Sequence, residues 1–399
     1  MLLPPDYFEC PPLSPWEIEQ YIVRGTQSTG TLQKKAQLRG GMYDWALLKD
    51  DSELKIYKGY SDRMSGDSCV HCGVMQVKGE LDECMDMHRY DTTEQARAYA
   101  RRFGRAYADV VTLYTVLPRH PDRPNDCIQI KWVLTKSPLD GLVIKRDFVM
   151  LETDMELQID GKRAWVRAFR SIELNCVPDM RQELGCIRGY MYDAGFLVVE
   201  SDRPGYLDMT YLADLDVGGS VPSWMNDQSM KFWLRSMLLM DRFMREDRLS
   251  RTPFLHKDEL CPLHLRHRCA LCQLKFGPLR RKTNCVKCGE VLCRDCNQEW
   301  HVNVQGVETK VRACAACSLG TSPFPQRTRS AVVYSSIVPP LRPPHLASSV
   351  EWSEPTPHGQ ANVPNDDDND AAGDSRRQMI LLEAAPLACQ ASAHFRPQA

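Results

Sequence analysis

Strong net charge is missing from this 399-residue chain. Its 50 lysines and arginines against 52 aspartates and glutamates leave a formal −2. No whole-molecule field therefore favours nucleic acid or an anionic bilayer, and any such attraction must be local. Long apolar runs are missing too. No stretch approaches the ~20 residues that a membrane-spanning helix requires. The amino terminus, Met1-Leu2-Leu3-Pro4-Pro5-Asp6, has neither the basic start nor the apolar run of an export signal. A soluble cytoplasmic protein, at most peripheral to membranes, is expected. Catalytic signatures are also absent. There is no G-x-S-x-G elbow, P-loop, H-E-x-x-H pair or dinucleotide-binding glycine pattern, and the ten histidines form no cluster beyond His264 and His267. The expectation is a protein that is not an enzyme and has no nucleic-acid partner.

What the chain has in excess is cysteine. Of seventeen, eight fall between Cys269 and Cys317, all in C-x-x-C pairs, while the other nine are scattered. Without export, paired cysteines read as metal ligands rather than disulfides. The length exceeds what one core usually holds, so two domains are expected. Residues 1–20 are proline-rich and read as a flexible lead-in, and residues 21–246 read as the larger domain. A linker follows at 247–260, then the cysteine-rich finger at 261–319. Residues 320–399, rich in proline, serine and alanine, read as a disordered tail. Strand-like runs at Glu53–Gly59, Val70–Val77, Cys127–Leu134, Lys145–Glu152, Ala164–Glu173, Gly195–Glu200 and Tyr206–Asp214 accompany helices at Thr92–Phe103 and about Trp224–Arg245. The fold class is α+β, mostly antiparallel sheet.

The finger's spacing constrains its chemistry. Two residues separate the cysteines of each pair; twelve, four and seventeen residues separate successive pairs. Two thiolates on one turn reach one zinc together, and zinc takes four such ligands tetrahedrally. The four-residue gap makes consecutive pairing uncomfortable, so the pairs should interleave. Cys269, Cys272, Cys293 and Cys296 would hold one ion, and Cys285, Cys288, Cys314 and Cys317 the other. With all positions filled, both Zn2+ ions would be structural and supply much of the folding energy of so small a module. Cys261, His264 and His267 lie upstream as alternative ligands, and Cys69-x-x-Cys72 has no partner pair nearby.

Between the first two pairs, Phe276 sits four residues after Cys272, and Pro278-Leu279 precede Arg281-Lys282, three residues before Cys285. This resembles a FYVE zinc finger, and Arg312 matches that family's late basic motif. The resemblance implies that Arg280, Arg281, Lys282 and Arg312 contact phosphatidylinositol 3-phosphate and that Pro278 and Leu279 touch the membrane. Departures are plain. Thr283-Asn284 stand where the family has paired histidines, Val286 replaces an arginine, and the upstream tryptophan–aspartate motif, which would fall near Leu260 and Leu263, is absent. A phosphate monoester needs several converging charge-assisted donors, so these losses matter. From Cys261 to Cys317 there remain ten Lys/Arg against four Asp/Glu, a local +6, which favours an anionic leaflet at roughly 1 kcal/mol per well-placed cation.

In the larger domain the last helix carries a broad apolar stripe that includes Met230, Trp233, Leu234 and Met237, suited to core packing or to an irregular apolar ligand. Lys145-Arg146-Asp147-Phe148-Val149, Gly195-Phe196, Tyr211–Asp216 and Val221-Pro222-Ser223-Trp224 resemble, in order, the signatures of START domains. That resemblance implies a helix-grip fold, a curved antiparallel sheet around a carboxy-terminal helix enclosing one lipid or sterol. Arg146 and Asp147 read as a structural pair. The combined expectation is a lipid-binding, sensing or transfer protein tethered to endosomal-type membranes by its finger. The alternatives are a protein-interaction scaffold acting through finger or tail, and a RING-type ubiquitin ligase.

Overall fold

The computed structural model describes residues 2–61, 69–103, 107–136, 144–218, 222–304 and 306–324. All of these fall in one compact unit, residues 1–331. The segment expected as a disordered tail lies, from residue 325 on, outside the described residues. The chain opens with α1 (Pro15–Lys35), then β1 (Asp44–Asp50), β2 (Leu54–Tyr60), β3 (Cys69–Lys78), α2 (Leu81–Met87) and α3 (Thr93–Phe103). There follow β4 (Tyr107–Leu117), β5 (Cys127–Thr135), β6 (Lys145–Ile159), β7 (Lys162–Ser171) and α4 (Arg181–Leu184). Next come β8 (Cys186–Arg188), β9 (Tyr190–Met191), β10 (Ala194–Glu200) and β11 (Tyr206–Asp216). Helix α5 (Ser223–Leu234) continues through a 3-10 turn, Arg235–Met237, into α6 (Leu238–Ser250). The finger holds β12 (Lys282–Asn284), β13 (Val291–Cys293), β14 (Asn297–Val304), β15 (Val307–Cys314) and α7 (Ala315–Ser318).

The first eleven strands form one sheet. Nine follow the order β1-β2-β3-β11-β10-β7-β6-β5-β4 with antiparallel neighbours; β8 joins β6 in parallel, and β9 joins β11. Strand β5 is buried at every position, because the sheet is covered on both faces and so loses the alternation of a half-exposed strand. On one face Leu32 of α1 packs with Val70, Cys72, Val166, Ala168 and Leu212, and Leu3 and Phe8 pack with Ile128, Ile130 and Trp132. The opposite face presents Met75, Phe148, Met150, Trp165, Phe169 and Met209 to α2, α3, α5 and α6. This is the α+β helix-grip arrangement expected, with the closing helix seated on the sheet. Gly73 in β3 makes that seat possible, since a Cβ there would come within 2.8 Å of Met237 Sδ.

The lead-in expected at residues 1–20 is tied down instead. Leu3 and Phe8 are buried, Leu3 N donates to Asp109 Oδ2 (2.7 Å), and α1 begins at Pro15. Ser14 and Glu17 cap α1 reciprocally, Ser14 N to Glu17 Oε2 at 2.8 Å and Glu17 N to Ser14 Oγ at 3.3 Å. The fully buried residues of α1 are Gly25, Ser28, Thr29, Leu32 and Lys35, and Ile18, Tyr21 and Ile22 pack half-buried against the sheet core. The closing helix also differs from expectation. It runs to Ser250 rather than Arg245, and Trp224, in its first turn, is 64% exposed instead of joining the apolar stripe.

Gly195 holds φ at +142°, and a Cβ there would meet the Arg167 carbonyl oxygen at 1.9 Å. Because the obstacle is backbone in the neighbouring strand, Gly195→Ala is expected to destabilise the fold by more than about 3 kcal/mol. Gly30, in the interior of α1 with nothing near its would-be Cβ, should give the opposite sign, with Gly30→Ala stabilising by about 0.5–1 kcal/mol. Urea denaturation of the two variants checks both.

Candidate metal centres and interior polar site

The finger folds around its eight cysteines, which the structure gathers into the two interleaved tetrads expected. Cys269, Cys272, Cys293 and Cys296 form one set and Cys285, Cys288, Cys314 and Cys317 the other, each with its sulfurs within 4.8 Å of one another. Four sulfurs placed tetrahedrally around zinc at about 2.3 Å stand roughly 3.8 Å apart, and Cys272 and Cys293 lie at 3.9 Å. Each set is also supplied with the donors a charged tetrathiolate needs. Cys293 N points to Cys269 Sγ (3.4 Å), Lys287 N and Cys314 N to Cys285 Sγ (3.4 and 3.3 Å), and Cys317 N to Cys314 Sγ (3.3 Å). The donor sets fit two structural Zn2+ ions, with no protein position left open for chemistry. Cys261, His264 and His267 belong to neither set. Cys72 is buried under α1, and the side chain of Cys69 lies outside the described residues.

The four cations expected at a phosphoinositide are largely engaged within the finger. Arg280 Nη1 donates to Cys293 Sγ (3.6 Å) and lies 3.4 Å from Asp295, so it offsets thiolate charge. Lys282 Nζ donates to Leu263 O (2.9 Å), and Arg312 donates to Asn297 O (3.2 Å) and Glu299 (3.1 Å). Arg281 is exposed with no polar partner among the described residues. Thr283 and Asn284, where the histidines are missing, serve the finger's own backbone: Thr283 Oγ1 donates to Leu292 O and Asn284 Nδ2 to Cys261 O. Pro278 and Leu279 occupy the tip of the turn Gly277–Arg280, both exposed.

In the larger domain Met230, Leu234 and Met237 are buried against the sheet, and Trp233 packs half-buried beside them. Arg146 and Asp147 do not pair with each other. Asp147 accepts from Trp132 Nε1 (2.9 Å) and pairs with Arg188 (2.8 Å), while Arg146 donates to Val217 O (2.8 Å) and Gly218 O (3.2 Å). Alternation along β6 explains this, since adjacent residues point to opposite faces.

Composition and spacing gave no hint of a buried ionic group inside the grip. Lys131 and Glu152 pair at 2.7 Å, and Arg167 grips Asp154 with two bonds of 2.6 Å. Asp154 and Arg167 are direct partners across β6 and β7. Tyr90 lies under both Lys131 (4.2 Å) and Arg167 (4.4 Å). Burial lowers the Lys131 ammonium despite Glu152, whereas for Arg167 burial is more than offset by Asp154, Tyr90 and Glu152 together, which hold it charged. No sequence signal singles the group out: only Gln129 and Lys131 interrupt a mostly apolar strand, whereas β6 and β7, which hold Glu152, Asp154 and Arg167, carry several other charges. Lys131 and Glu152 line a small cavity with Tyr90, Tyr99, Tyr107, Val133, Met150 and Phe169, of about 20 Å3. Arg167 Nη1 and His88 Nε2 are buried with no hydrogen-bond partner among the described residues. Among these residues no helix is long and apolar enough to cross a membrane.

Comparison with known proteins agrees with this geometry. Residues 123–234 match the START domain and residues 262–322 the FYVE zinc finger. The chain thus carries a START domain followed by a FYVE zinc finger. Its solved structural neighbours include human StAR-related lipid transfer protein 5, at 16% identity over 56% of this chain and 96% of that one (TM-score 0.43). Human STARD10 matches at 14% over 55% and 78% (0.40), and the human StarD13 (DLC2) lipid transfer and protein localization domain at 14% over 56% and 95% (0.38).

Two outcomes are expected. Metal analysis of the purified protein should return two zinc equivalents, and Cys285→Ser should lower that number and expose Trp300, which is buried in the finger core. Burial, with Arg167 alongside, pushes the His88 imidazole down from 6.5 to about 3; burial, only partly countered by Asp227, pushes His71 down to about 4. Both are harder to protonate folded than unfolded. Stability is therefore full above pH 6.5 and falls as pH drops below it, by up to about 1.4 kcal/mol per pH unit for each group. Thermal melts between pH 7 and 5 should show this slope, and His88→Gln should reduce it.

Proposed function

We propose that this is a non-enzymatic lipid-binding protein that takes one lipid into its grip domain and is brought to anionic cytosolic membranes, of endosomal type, by its finger. The observation that carries the reading is the succession of a START domain and a FYVE zinc finger in one chain. The ligand side is supported by an apolar interior with one polar end. His88 Nδ1 lies 2.8 Å from Cys84 O and, as the donor there, leaves Nε2 an acceptor; it and the donor Arg167 Nη1 are both buried without a partner among the described residues, and Arg167 Nη2 donates to His88 O (2.7 Å). A hydroxyl offers both complements, which favours a sterol or another hydroxyl-bearing lipid.

The cavity of about 20 Å3 has room for about one water and none for a lipid, so a ligand must displace side chains. Moving Met230, Leu234 and Met237 off the sheet costs roughly 5–9 kcal/mol, and a lipid burying roughly 400 Å2 of apolar surface returns about 10. Methionines at this seat can repack at little strain. Binding with helix displacement is thus balanced rather than forbidden. On the membrane side, the engagement of Arg280, Lys282 and Arg312 within the finger favours attraction by general charge over stereospecific reading of phosphatidylinositol 3-phosphate. The small cavity also supports a second reading, a scaffold whose packed grip domain holds no lipid and whose finger recruits a protein partner.

Native mass spectrometry of the purified protein, followed by lipid extraction, separates these readings. A bound sterol or phospholipid at near one equivalent is expected, and a protein that stays empty after incubation with both classes leaves the scaffold. For the finger, Arg281→Ala should weaken sedimentation with phosphatidylserine vesicles about as much as with vesicles containing phosphatidylinositol 3-phosphate. A loss confined to the latter would restore stereospecific recognition.

A further inference from the structure

The end of the finger that bears the turn Gly277–Arg280 presents more exposed leucine than the turn itself. Leu279 at the tip is 103% exposed, and Leu263 and Leu265, in the 3-10 turn upstream, are 44% and 60% exposed. Hydrogen bonds bring the two segments together. Phe276 N donates to His267 O (3.1 Å) and Arg268 bridges Lys275 in antiparallel sense. The chain before His267 therefore runs beside the chain that enters the turn. On the far side of the turn, Lys282 Nζ donates to Leu263 O (2.9 Å). The segment that bears Leu263 and Leu265 is thereby tied to both limbs of the Leu279 turn, at His267 and at Leu263 O.

The chain that carries them is cationic. Residues 261–282 contain six lysines and arginines and no aspartate or glutamate. Arg266 and Arg280 draw their carboxylates, Glu290 and Asp295, from the later part of the finger. A single exposed leucine is ordinary. Three on one end, set in a cationic collar, have the make-up of a segment that lies in the bilayer interface, with apolar side chains below the headgroups and cations among them. An anionic leaflet supplies both complements at once.

We propose that Leu263 and Leu265 form, with Leu279, a two-pronged insertion face that seats the finger in an anionic bilayer. The upstream 3-10 turn is the second prong, locked to the first through Lys282. This rests on the reading that the finger contacts a membrane. Sedimentation of the full chain with phosphatidylcholine–phosphatidylserine vesicles tests it. The double variant Leu263→Ser/Leu265→Ser should lose at least about tenfold in partitioning, as Leu279→Ser does, with two zinc equivalents retained to show that the finger is folded. If the wild-type chain binds, Leu279→Ser fails and the double variant binds as wild type, the second prong is refuted while membrane contact stands. If the wild-type chain does not bind these vesicles, membrane contact and the insertion face fall together. Leu265→Trp gives an independent readout: its added emission should be quenched by lipids brominated in their acyl chains, and an unquenched signal in the bound state overturns insertion at this position.

Discussion

Helix α6 is packed into two hydrophobic cores at once. Its Met240, Phe243 and Met244 belong to the core between sheet and helices, and Leu249, little more than a turn on, belongs to the core of the finger. Between them stands Glu246, with only 3% of its side chain exposed. Its carboxylate accepts from Arg242 Nε (3.0 Å) and from the backbone N–H of His301 in β14 (3.1 Å), with Arg102 of α3 at 3.7 Å. A buried carboxylate needs such donors to offset its loss of water. Here they come from the helix itself, from the finger and from the sheet domain. The seam between the two modules is therefore specified by one side chain that neither module could satisfy alone.

Other contacts make the seam rigid. Ser250 Oγ accepts from Asn303 N (3.0 Å), Arg248 reaches both Glu83 of α2 (2.5 Å) and Ser318 O (2.9 Å), and Arg242 donates to Glu299 O (3.2 Å). After the helix, Lys287 fastens the connecting strand by donating to Thr252 Oγ1 (2.8 Å) and Pro253 O (3.2 Å), its ammonium 3.6 Å from the centre of the Phe254 ring. The stretch expected from composition to be a linker is thus ordered structure shared by both modules. Metal binding, which stabilises the finger, also stabilises the far end of the helix that closes the sheet domain.

How much of this was legible depended on whether the deciding residues were local in sequence. The metal tetrads were, because C-x-x-C pairs and the four-residue gap leave interleaving as the comfortable solution. The central strands were legible too, since runs such as Cys127–Leu134 and Lys145–Glu152 are rich in β-branched and aromatic residues. Helix α1 was not. Its apolar residues Ile18, Tyr21, Ile22 and Leu32 are interrupted by Gly25, Ser28 and Thr29, small residues that fit a close approach to the sheet, where a Cβ on Gly25 would come within 2.6 Å of Thr153 Oγ1. The engagement of Arg280, Lys282 and Arg312 was equally hidden, because their partners Asp295, Leu263 and Glu299 are brought beside them by the cross-brace rather than by spacing.

The interior ions belong to the same hidden class, and their energetics say why they are there. Replacing a buried ion pair by well-packed apolar side chains is often neutral or stabilising, and positions 131, 152, 154 and 167 lie among tryptophan, methionine and phenylalanine that could have continued the core. Stability alone does not call for four charges in this place. They do hold Arg167 fixed by Asp154 on one side and over Tyr90 on another, while Arg167 Nη1 and His88 Nε2 are buried without a partner among the described residues. Fixed donors and acceptors lose little entropy when a partner arrives. The arrangement therefore gives up packing stability to keep charged and polar groups fixed in an otherwise apolar interior.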